Sequence, residues 1–317
     1  RDLRSATEPK GEVTMSSIGS EQRILERFMQ LSIAAAAATI ILKALAAWFT
    51  GSVGFLSDAF ESIVNLVAAV AGFYALRIAS KPADDNHQFG HGKAEYVSAL
   101  VEGAMIFIAA GMIVYTAIQR FFVPQPIEEP GWGLALSTLS SVLNGAVGIA
   151  LIRAGKRYRS ATLDADGHHL LTDVWTSVGV LIGIAAVFLT GWWWLDPVVA
   201  LAVGINILWT GYSLLRDSVS SLLSEALPDD ERQNIRKLLA RLEQEHSVNF
   251  TDGRTVASGR QRLVYLTMEV PGEWSVMHSH EVADAVEIAL DQLYPGCSAF
   301  IHVEPAGLEN RRPYLFR

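Results

Sequence analysis

Two apolar segments of the chain each carry a stripe of polar and acidic residues that could bind a cation. Within each stripe the residues recur at offsets of 0, +3, +4 and +7, which keeps them on one face of a helix. The stripes are Asp58, Glu61, Ser62 and Asn65, then His169, Thr172, Asp173 and Thr176. Carboxylates at membrane depth are costly and are usually functional. Carboxylate and imidazole groups on facing helices therefore predict a divalent-metal or proton site.

The two stripes together offer a nearly complete ligand set for a metal ion. Asp58, His169 and Asp173 supply three nitrogen or oxygen ligands from two helices. Tetrahedral Zn²⁺ takes four ligands, and Ser62, Glu61 or a water could supply the fourth. The structural alternative is that Asp58 caps a helix and Glu61 pairs with a lysine of the preceding segment. Because the ligands lie on different helices, helix movement could assemble or open the site.

A second candidate cluster lies in the short polar segment 82–93. Asp84, His87 and His91 are close enough in sequence to reach a single cation. The alternative is a glycine-rich turn whose polar residues only cap the following helix.

Glu102 is an isolated acidic residue in an apolar segment, next to the small residues Gly103 and Ala104. It either joins a proton path or hydrogen-bonds to a neighbouring helix. The sequence does not choose between these two roles.

Composition places the chain among membrane proteins. Of its 317 residues, 50% are hydrophobic and 18% are charged, with mean hydropathy +0.27; soluble proteins average about 25% charged residues. The single cysteine, Cys297, excludes an intrachain disulfide framework and a cysteine-rich metal cluster. A net charge of −8 argues against a nucleic-acid partner.

Six apolar segments are each long enough to span a membrane, which takes about 20 residues. Lysine and arginine concentrate before the first segment, after the sixth, and in the loops that follow the second and fourth. The positive-inside rule then predicts that both termini are cytoplasmic. The six segments are 28–50, 52–76, 96–122, 131–152, 164–193 and 197–215.

The segments outside the predicted spans differ in character. The sequence predicts a largely disordered cytoplasmic tail at residues 1–27 and the six-helix transmembrane domain at residues 28–217. Helical and strand periodicities in 228–305 predict a small cytoplasmic α+β domain of order α-β-β-α-β. The sequence predicts a C-terminal tail at residues 306–317.

This organisation resembles that of the cation diffusion facilitator family, in particular its bacterial iron/zinc-type branch. The similarity covers residues from about 28 to 305. The matching motifs are GSVGFLSD at 51–58, the 82–93 loop, HLLTD at 169–173 and ALPDDE at 226–231.

The resemblance implies a transporter rather than an enzyme. A protein of this kind is a homodimer, through its transmembrane and metallochaperone-like cytoplasmic domains, in the bacterial inner membrane. It exchanges cytoplasmic divalent metal, with Zn²⁺ or Fe²⁺ favoured here, for protons by alternating access. The metal is its substrate, and no cofactor is required.

The resemblance also implies which residues bind metal. Asp58, His169 and Asp173 fall on the family's transport-site positions, whereas Ser62 stands where a second aspartate is expected. The family's loop site maps onto Asp84, His87 and His91, all of which are retained.

In the tail, the resemblance implies an altered metal site. His280 and His302 are retained, and Glu304 replaces an aspartate. Thr251 and Thr267 stand where relatives with a binuclear site have histidines. One half of that site is therefore expected to be lost, which leaves a single weaker tail metal or none.

Two other functions remain open from the sequence. One is a transport-dead metal sensor or scaffold, which the departures at Ser62 and in the tail permit. The other is a proton-coupled exporter of small organic cations, which would need a roomy aromatic cavity. Near the stripes the only aromatic residues are Phe55, Phe60 and Trp175.

Overall fold

The computed structural model describes residues 11–50, 53–122, 132–192 and 194–307, which form eight helices and three strands. One compact unit spans Ser20–Val219, and the second joins the residues up to Gly19 with those from Ser220 onwards. The elements are α1 (Gly11–Thr50), α2 (Val53–Ala79), α3 (Ala94–Phe122), α4 (Trp132–Tyr158), α5 (Ala161–Thr190), α6 (Leu195–Leu222), α7 (Asp229–His246), β1 (Asn249–Ser258), β2 (Gln261–Val270), α8 (Val276–Leu293) and β3 (Ser298–Pro305).

Helices α1–α6 are long enough to cross a bilayer. The shortest have 27 residues, about 40 Å at 1.5 Å per residue, against a hydrocarbon core of about 30 Å. Within the described residues, four stretches are also apolar enough to span. They are Glu21–Ala46, Ala94–Phe122, Thr138–Tyr158 and Pro197–Leu222. Helix α2 adds a shorter apolar stretch, Asn65–Ala79, which begins at the last residue of its polar stripe.

Helix boundaries differ from the sequence prediction mainly at the N-terminus. Helix α1 begins at Gly11, inside the segment 1–27 where the sequence predicts disorder. Helix α5 begins at Ala161 and ends at Thr190, three residues earlier at each end than predicted. Hydropathy locates the apolar part of a helix, whereas hydrogen bonding continues into the polar turns that flank it.

Glycines allow α4 and α5 to pack with their backbones nearly touching. A Cβ atom added at Gly167 would lie 2.6 Å from Ile152 Cγ1 and 2.8 Å from the Gly148 carbonyl oxygen. A Cβ added at Gly155 would lie 2.7 Å from the Asp164 backbone nitrogen. These contacts fix the height of α5 against α4, and therefore the height of the polar stripe that α5 carries.

The C-terminal unit has the predicted α-β-β-α-β order. Its sheet has the order β1-β2-β3, with β1 and β2 antiparallel and β2 and β3 parallel. One face of the sheet packs on α7 and α8 because alternate strand residues are apolar. The buried core includes Ile235, Leu239, Phe250, Val264, Leu266, Met268, Val282, Val286 and Leu290.

Candidate metal centre

The side chain of Asn65 connects the two polar stripes. Its Oδ1 lies 2.8 Å from Nε2 of His169, and its Nδ2 donates a hydrogen bond of 2.6 Å to Oδ2 of Asp173. Asn65 and His169 are buried. With the amide nitrogen turned to the carboxylate, its oxygen accepts from the imidazole N–H. One amide on α2 thus holds the two α5 candidates, His169 and Asp173, at a common point.

Asp173 is held by groups from three helices. Asn144, buried on α4, donates through Nδ2 to the same Asp173 oxygen at 3.3 Å. The Asp173 backbone carbonyl accepts from Thr176 Oγ1 at 2.8 Å and from Ser177 Oγ at 2.9 Å. The carboxylate is therefore oriented by α2 and α4, while hydroxyls on its own helix satisfy its backbone.

The α2 half of the predicted ligand set is only partly described. Ser62 is buried, one turn before Asn65. The side chains of Asp58 and Glu61 lie outside the part of the chain that the structure describes, so their contribution stays a prediction. The choice of fourth ligand among Glu61, Ser62 and water stays open with them.

The structure brings the three loop candidates together. Among the described residues, Asp84, His87 and His91 are the only group of three or more histidine, cysteine or acidic residues whose ligand atoms all lie within 4.8 Å. Asp84 Oδ1 accepts from the backbone N–H groups of His87 at 2.7 Å and Asn86 at 3.0 Å. The His87 hydrogen bond is the main reason that the pKa of Asp84 is lowered. Its carboxylate is therefore ionised at neutral pH.

His91 is oriented with one nitrogen towards this carboxylate. Its Nδ1 lies 3.3 Å from the Pro82 carbonyl oxygen, which can only accept, so Nδ1 carries a proton. Its Nε2 then faces Asp84 Oδ2 at 3.4 Å. If the His91 imidazole were neutral, the lone pair of Nε2 would point at the negatively charged Asp84 oxygen, and the two would repel each other. A proton or a metal ion between the two atoms removes that repulsion.

The tail candidates are distributed over two places. His302 on β3 lies 3.1 Å from Glu304, whereas His280 on α8 pairs with Asp284 at 3.6 Å. His280, His302 and Glu304 do not form a three-ligand group within 4.8 Å among the described residues. In the sheet register His302 lies opposite Thr267, which in turn lies opposite Thr251. This row places the two threonines that replace family histidines beside His302.

Two residues of the centre are not among the ligands proposed from the sequence. Asn65 belongs to the first stripe, and its position at +7 from Asp58 was the available signal. Asn144 lies in an apolar segment and offered only its polarity as a signal. Both act through contacts between helices, which periodicity within one helix does not specify.

Matches to family models cover most of the chain. The model described as cation efflux transmembrane domain matches residues 29–223. The model described as cation efflux protein, cytoplasmic domain, matches residues 227–306. The chain belongs to the cation diffusion facilitator family. It is a cation efflux transporter, with a helical transmembrane domain and a cytoplasmic domain that carries the small sheet.

Individual relatives of this cation efflux transporter match over nearly their full length. An uncharacterized transporter of Synechocystis is 46% identical over 283 residues, which are 89% of this chain and 91% of the relative. The cation-efflux pump FieF of Escherichia fergusonii is 32% identical over 294 residues, 93% and 97% of the two chains. A solved chain of CzrB is 33% identical to this chain. The match includes 99% of the CzrB chain but only 26% of this chain, with a TM-score of 0.25.

Proposed function

We propose that this transporter exports divalent metal of the Zn²⁺ or Fe²⁺ class in exchange for protons, by alternating access. The observation that carries the proposal is the Asn65 amide, which joins His169 to Asp173 across the α2–α5 contact. An imidazole and a carboxylate that share one small partner are spaced for a single ion. Imidazole ligands suit Zn²⁺ and Fe²⁺, whereas Mn²⁺ favours oxygen.

Proton exchange follows from the chemistry of these ligands. A metal binds neutral imidazole and ionised carboxylates, so its arrival at Asp58, His169 and Asp173 displaces protons. When the site opens to the other side, protons return to the ligands and release the metal. Because imidazole titrates near neutral pH, His169 is the natural group for this exchange. An inward proton gradient then drives export.

The remaining parts of the protein fit the same proposal. The loop cluster of Asp84, His87 and His91 binds metal on the cytoplasmic side, which the orientation of His91 towards Asp84 supports. Both termini are cytoplasmic in a bacterial inner membrane. The protein is a homodimer, and its tail binds a single metal weakly through His302 and Glu304 or serves in dimerisation alone.

Transport by the Asp173→Asn variant tests the site. In proteoliposomes with an imposed pH gradient, wild type moves Zn²⁺ or Fe²⁺, and Asp173→Asn should fall to the flux of protein-free vesicles. Glu245→Gln, an exposed change on α7, is the control and keeps wild-type flux. Wild-type flux in Asp173→Asn would refute the assignment. A panel with Co²⁺, Ni²⁺ and Cd²⁺ ranks the substrates.

Two further measurements complete the test. Separate Glu61→Gln and Ser62→Ala variants identify the fourth ligand by whichever loses flux; if neither does, water or another helix supplies it. A wild-type protein that is stabilised by Zn²⁺ but moves none would be a sensor rather than a transporter.

A further inference from the structure

A second polar cluster lies one helical turn from the candidate metal centre, on the same face of α5. Thr162, Asp166, His169 and Asp173 recur at offsets of 0, +4, +7 and +11, which keeps them on one side of the helix. At 1.5 Å per residue, Asp166 lies about 4.5 Å from His169 along the axis. Glu102 on α3 interacts electrostatically with Asp166. Two carboxylates from different helices therefore lie close enough to influence one another beside the candidate metal centre.

Both carboxylates are buried with hydrogen-bonding capacity left over. Glu102 and Asp166 are each 2% exposed. Glu102 Oε1 accepts from Ser98 Oγ at 3.4 Å. Among the described residues, Glu102 Oε2 and Asp166 Oδ2 have no hydrogen-bond partner. Buried polar atoms without partners are uncommon in proteins, so these two oxygens point to an additional ligand.

Two buried residues with hydroxyl groups, Ser32 and Thr162, lie beside the pair. Ser32 on α1 interacts with the Asp166 carboxylate, though without hydrogen-bonding geometry. Thr162 and Glu102 both approach Gly72 on α2, where an added Cβ would lie 3.1 Å from Thr162 Cγ2 and 3.3 Å from Glu102 Oε1. Within the described part of the chain, the Ser32 and Thr162 hydroxyl oxygens also lack partners. Side chains of α1, α3 and α5 thus converge against a glycine of α2.

The charges around this cluster favour a proton. Within the described chain, the charged groups acting on it are Glu102 from α3 and Asp166 and His169 from α5, whereas α1 and α2 bring the uncharged Ser32 and Gly72. Two ionised carboxylates in so buried a position would repel one another and lack solvation. One bound proton removes a negative charge and turns a carboxylate oxygen into a donor.

We propose that Glu102 and Asp166 form a proton-binding pair, in which Glu102 carries a proton that is exchanged for metal. This inference rests on the proposed metal–proton exchange, and it assigns one proton to a site outside the metal ligands. The proton comes from water on one side of the membrane and returns to water on the other. Metal binding and proton binding are then separable by mutation.

The Glu102→Gln variant tests the pair, because it keeps the shape of the side chain but cannot release a proton. In proteoliposomes, imposing a pH gradient accelerates Zn²⁺ flux through wild type. Glu102→Gln should still pass Zn²⁺ down its own gradient, with the acceleration by the pH gradient reduced, because the protons exchanged at the metal ligands remain. Glu95→Gln is the matched control, since Glu95 is a buried glutamate of the same helix that accepts a hydrogen bond from Ser160. It should keep the acceleration.

Infrared difference spectra of the purified full chain between acid and neutral pH provide a readout that needs no transport. The carbonyl band of a protonated carboxyl group should be lost in Glu102→Gln and shifted in Asp166→Asn. Zn²⁺ stoichiometry per chain should stay at the wild-type value in both. Should Glu102→Gln fail to give a monodisperse protein, Asp166→Asn is carried through the same assays.

Three results would overturn the pair. They are a full response of Glu102→Gln to the pH gradient, an unchanged carbonyl band in that variant, and the loss of a bound Zn²⁺, which would make the cluster a metal site. Failure of the proposed function is distinct: wild type itself would show no flux or no response to the gradient. The infrared comparison would still decide whether the pair binds a proton.

Discussion

At the residue scale, Asn65 occupies the place between an imidazole and a carboxylate that a metal ion would take. An amide can do this because it offers one acceptor and two donors, and here it uses both kinds towards His169 and Asp173. A metal that binds the same His169 nitrogen and Asp173 oxygen must displace the amide. Asn65 therefore stabilises this arrangement of His169 and Asp173, and under the proposed function it would compete with metal for both.

Replacing Asn65 by leucine should make the protein depend more on metal. Without the amide, the buried His169 loses a hydrogen-bond partner, which costs about 1–3 kcal/mol, and the half-buried Asp173 loses one of its donors, so the metal-free protein unfolds at a lower temperature. Bound Zn²⁺ replaces the lost partner, and the rise in Tm on adding Zn²⁺ should exceed that of wild type. Asn206→Leu, at an exposed position of α6, is the control. Equal Zn²⁺-induced rises in both variants would contradict the role assigned to Asn65.

Asp84 should hold its loop in a pH-dependent way. The ionised Asp84 carboxylate stabilises the loop through its hydrogen bonds from the backbone N–H groups of Asn86 and His87. Because the pKa of Asp84 is lowered in the folded protein, this stabilisation is present at neutral pH and is lost only in acid, as the pH falls through the lowered pKa. Asp84→Asn should remove this stabilisation of the loop at pH 7. Hydrogen exchange of the Asn86 and His87 amides, measured by mass spectrometry, should then accelerate. Asp85→Asn, an exposed neighbour, should leave those rates unchanged; similar acceleration in both would remove the special role of Asp84.

At the element scale, the close contact of α4 and α5 positions the proposed metal ligands His169 and Asp173. Gly167 precedes His169 by two residues and lies against the backbone of α4. The same pair of helices supplies Asn144 and Asp173, which are hydrogen-bonded. A change in the distance between these helices therefore moves His169 and Asp173 together relative to α2.

Gly167→Ala should separate α4 from α5. The added methyl group would lie 2.8 Å from the Gly148 carbonyl oxygen, which is backbone and cannot rotate away. We expect a lower Tm, by the equivalent of about 1–3 kcal/mol, together with weaker Zn²⁺ binding by titration calorimetry.

Gly111→Ala on α3 is the matched control, since nothing lies within 4 Å of an added Cβ atom there. Alanine favours helix over glycine by about 1 kcal/mol, so this change should preserve or raise the Tm. Unaltered Zn²⁺ binding in Gly167→Ala would show that the contact between α4 and α5 does not set the geometry of the site.

At the scale of the whole molecule, the transporter consists of a membrane unit that carries the candidate metal centre and a C-terminal unit with its own core. Within the described part of the C-terminal unit, α7 and α8 pack on one face of the sheet. The other carries Tyr265 and Phe300, whose rings stack with centroids 4.9 Å apart, and Phe300 is 43% exposed. An exposed phenylalanine stacked on a half-buried tyrosine at a sheet face suits the proposed homodimer contact.

Phe300→Asp should therefore weaken self-association of the full chain in detergent, seen as a lower mass in light scattering. The charge would replace an apolar contact and would have to be desolvated in the dimer. Ile288→Asp is the control, because Ile288 is similarly exposed, at 40%, but lies on α8. A dimer that resists Phe300→Asp while Ile288→Asp disrupts it would move the contact to the helical side.

Much of the architecture follows from periodicity in the sequence. The order α-β-β-α-β of the tail is confirmed because strand and helix repeats are local properties of the chain. The site assignments are a different case. The loop residues Asp84, His87 and His91 are near neighbours in sequence, and the structure brings them together. His280 and His302 are far apart in sequence, and each has a carboxylate partner of its own on a different element.

The sequence by itself determined which residues share a helix face, because 3.6 residues per turn align His169 with Asp173 whatever surrounds them. It also determined the membrane character of the chain and the presence of a small α+β tail. Only the tertiary structure decided that Asn65 and Asn144 hold Asp173 and that Glu102 and Asp166 influence one another electrostatically. The reason is physical: contacts between helices depend on how closely their backbones approach. Here that approach is set by glycines such as Gly167 and Gly72, which lie outside the polar stripes.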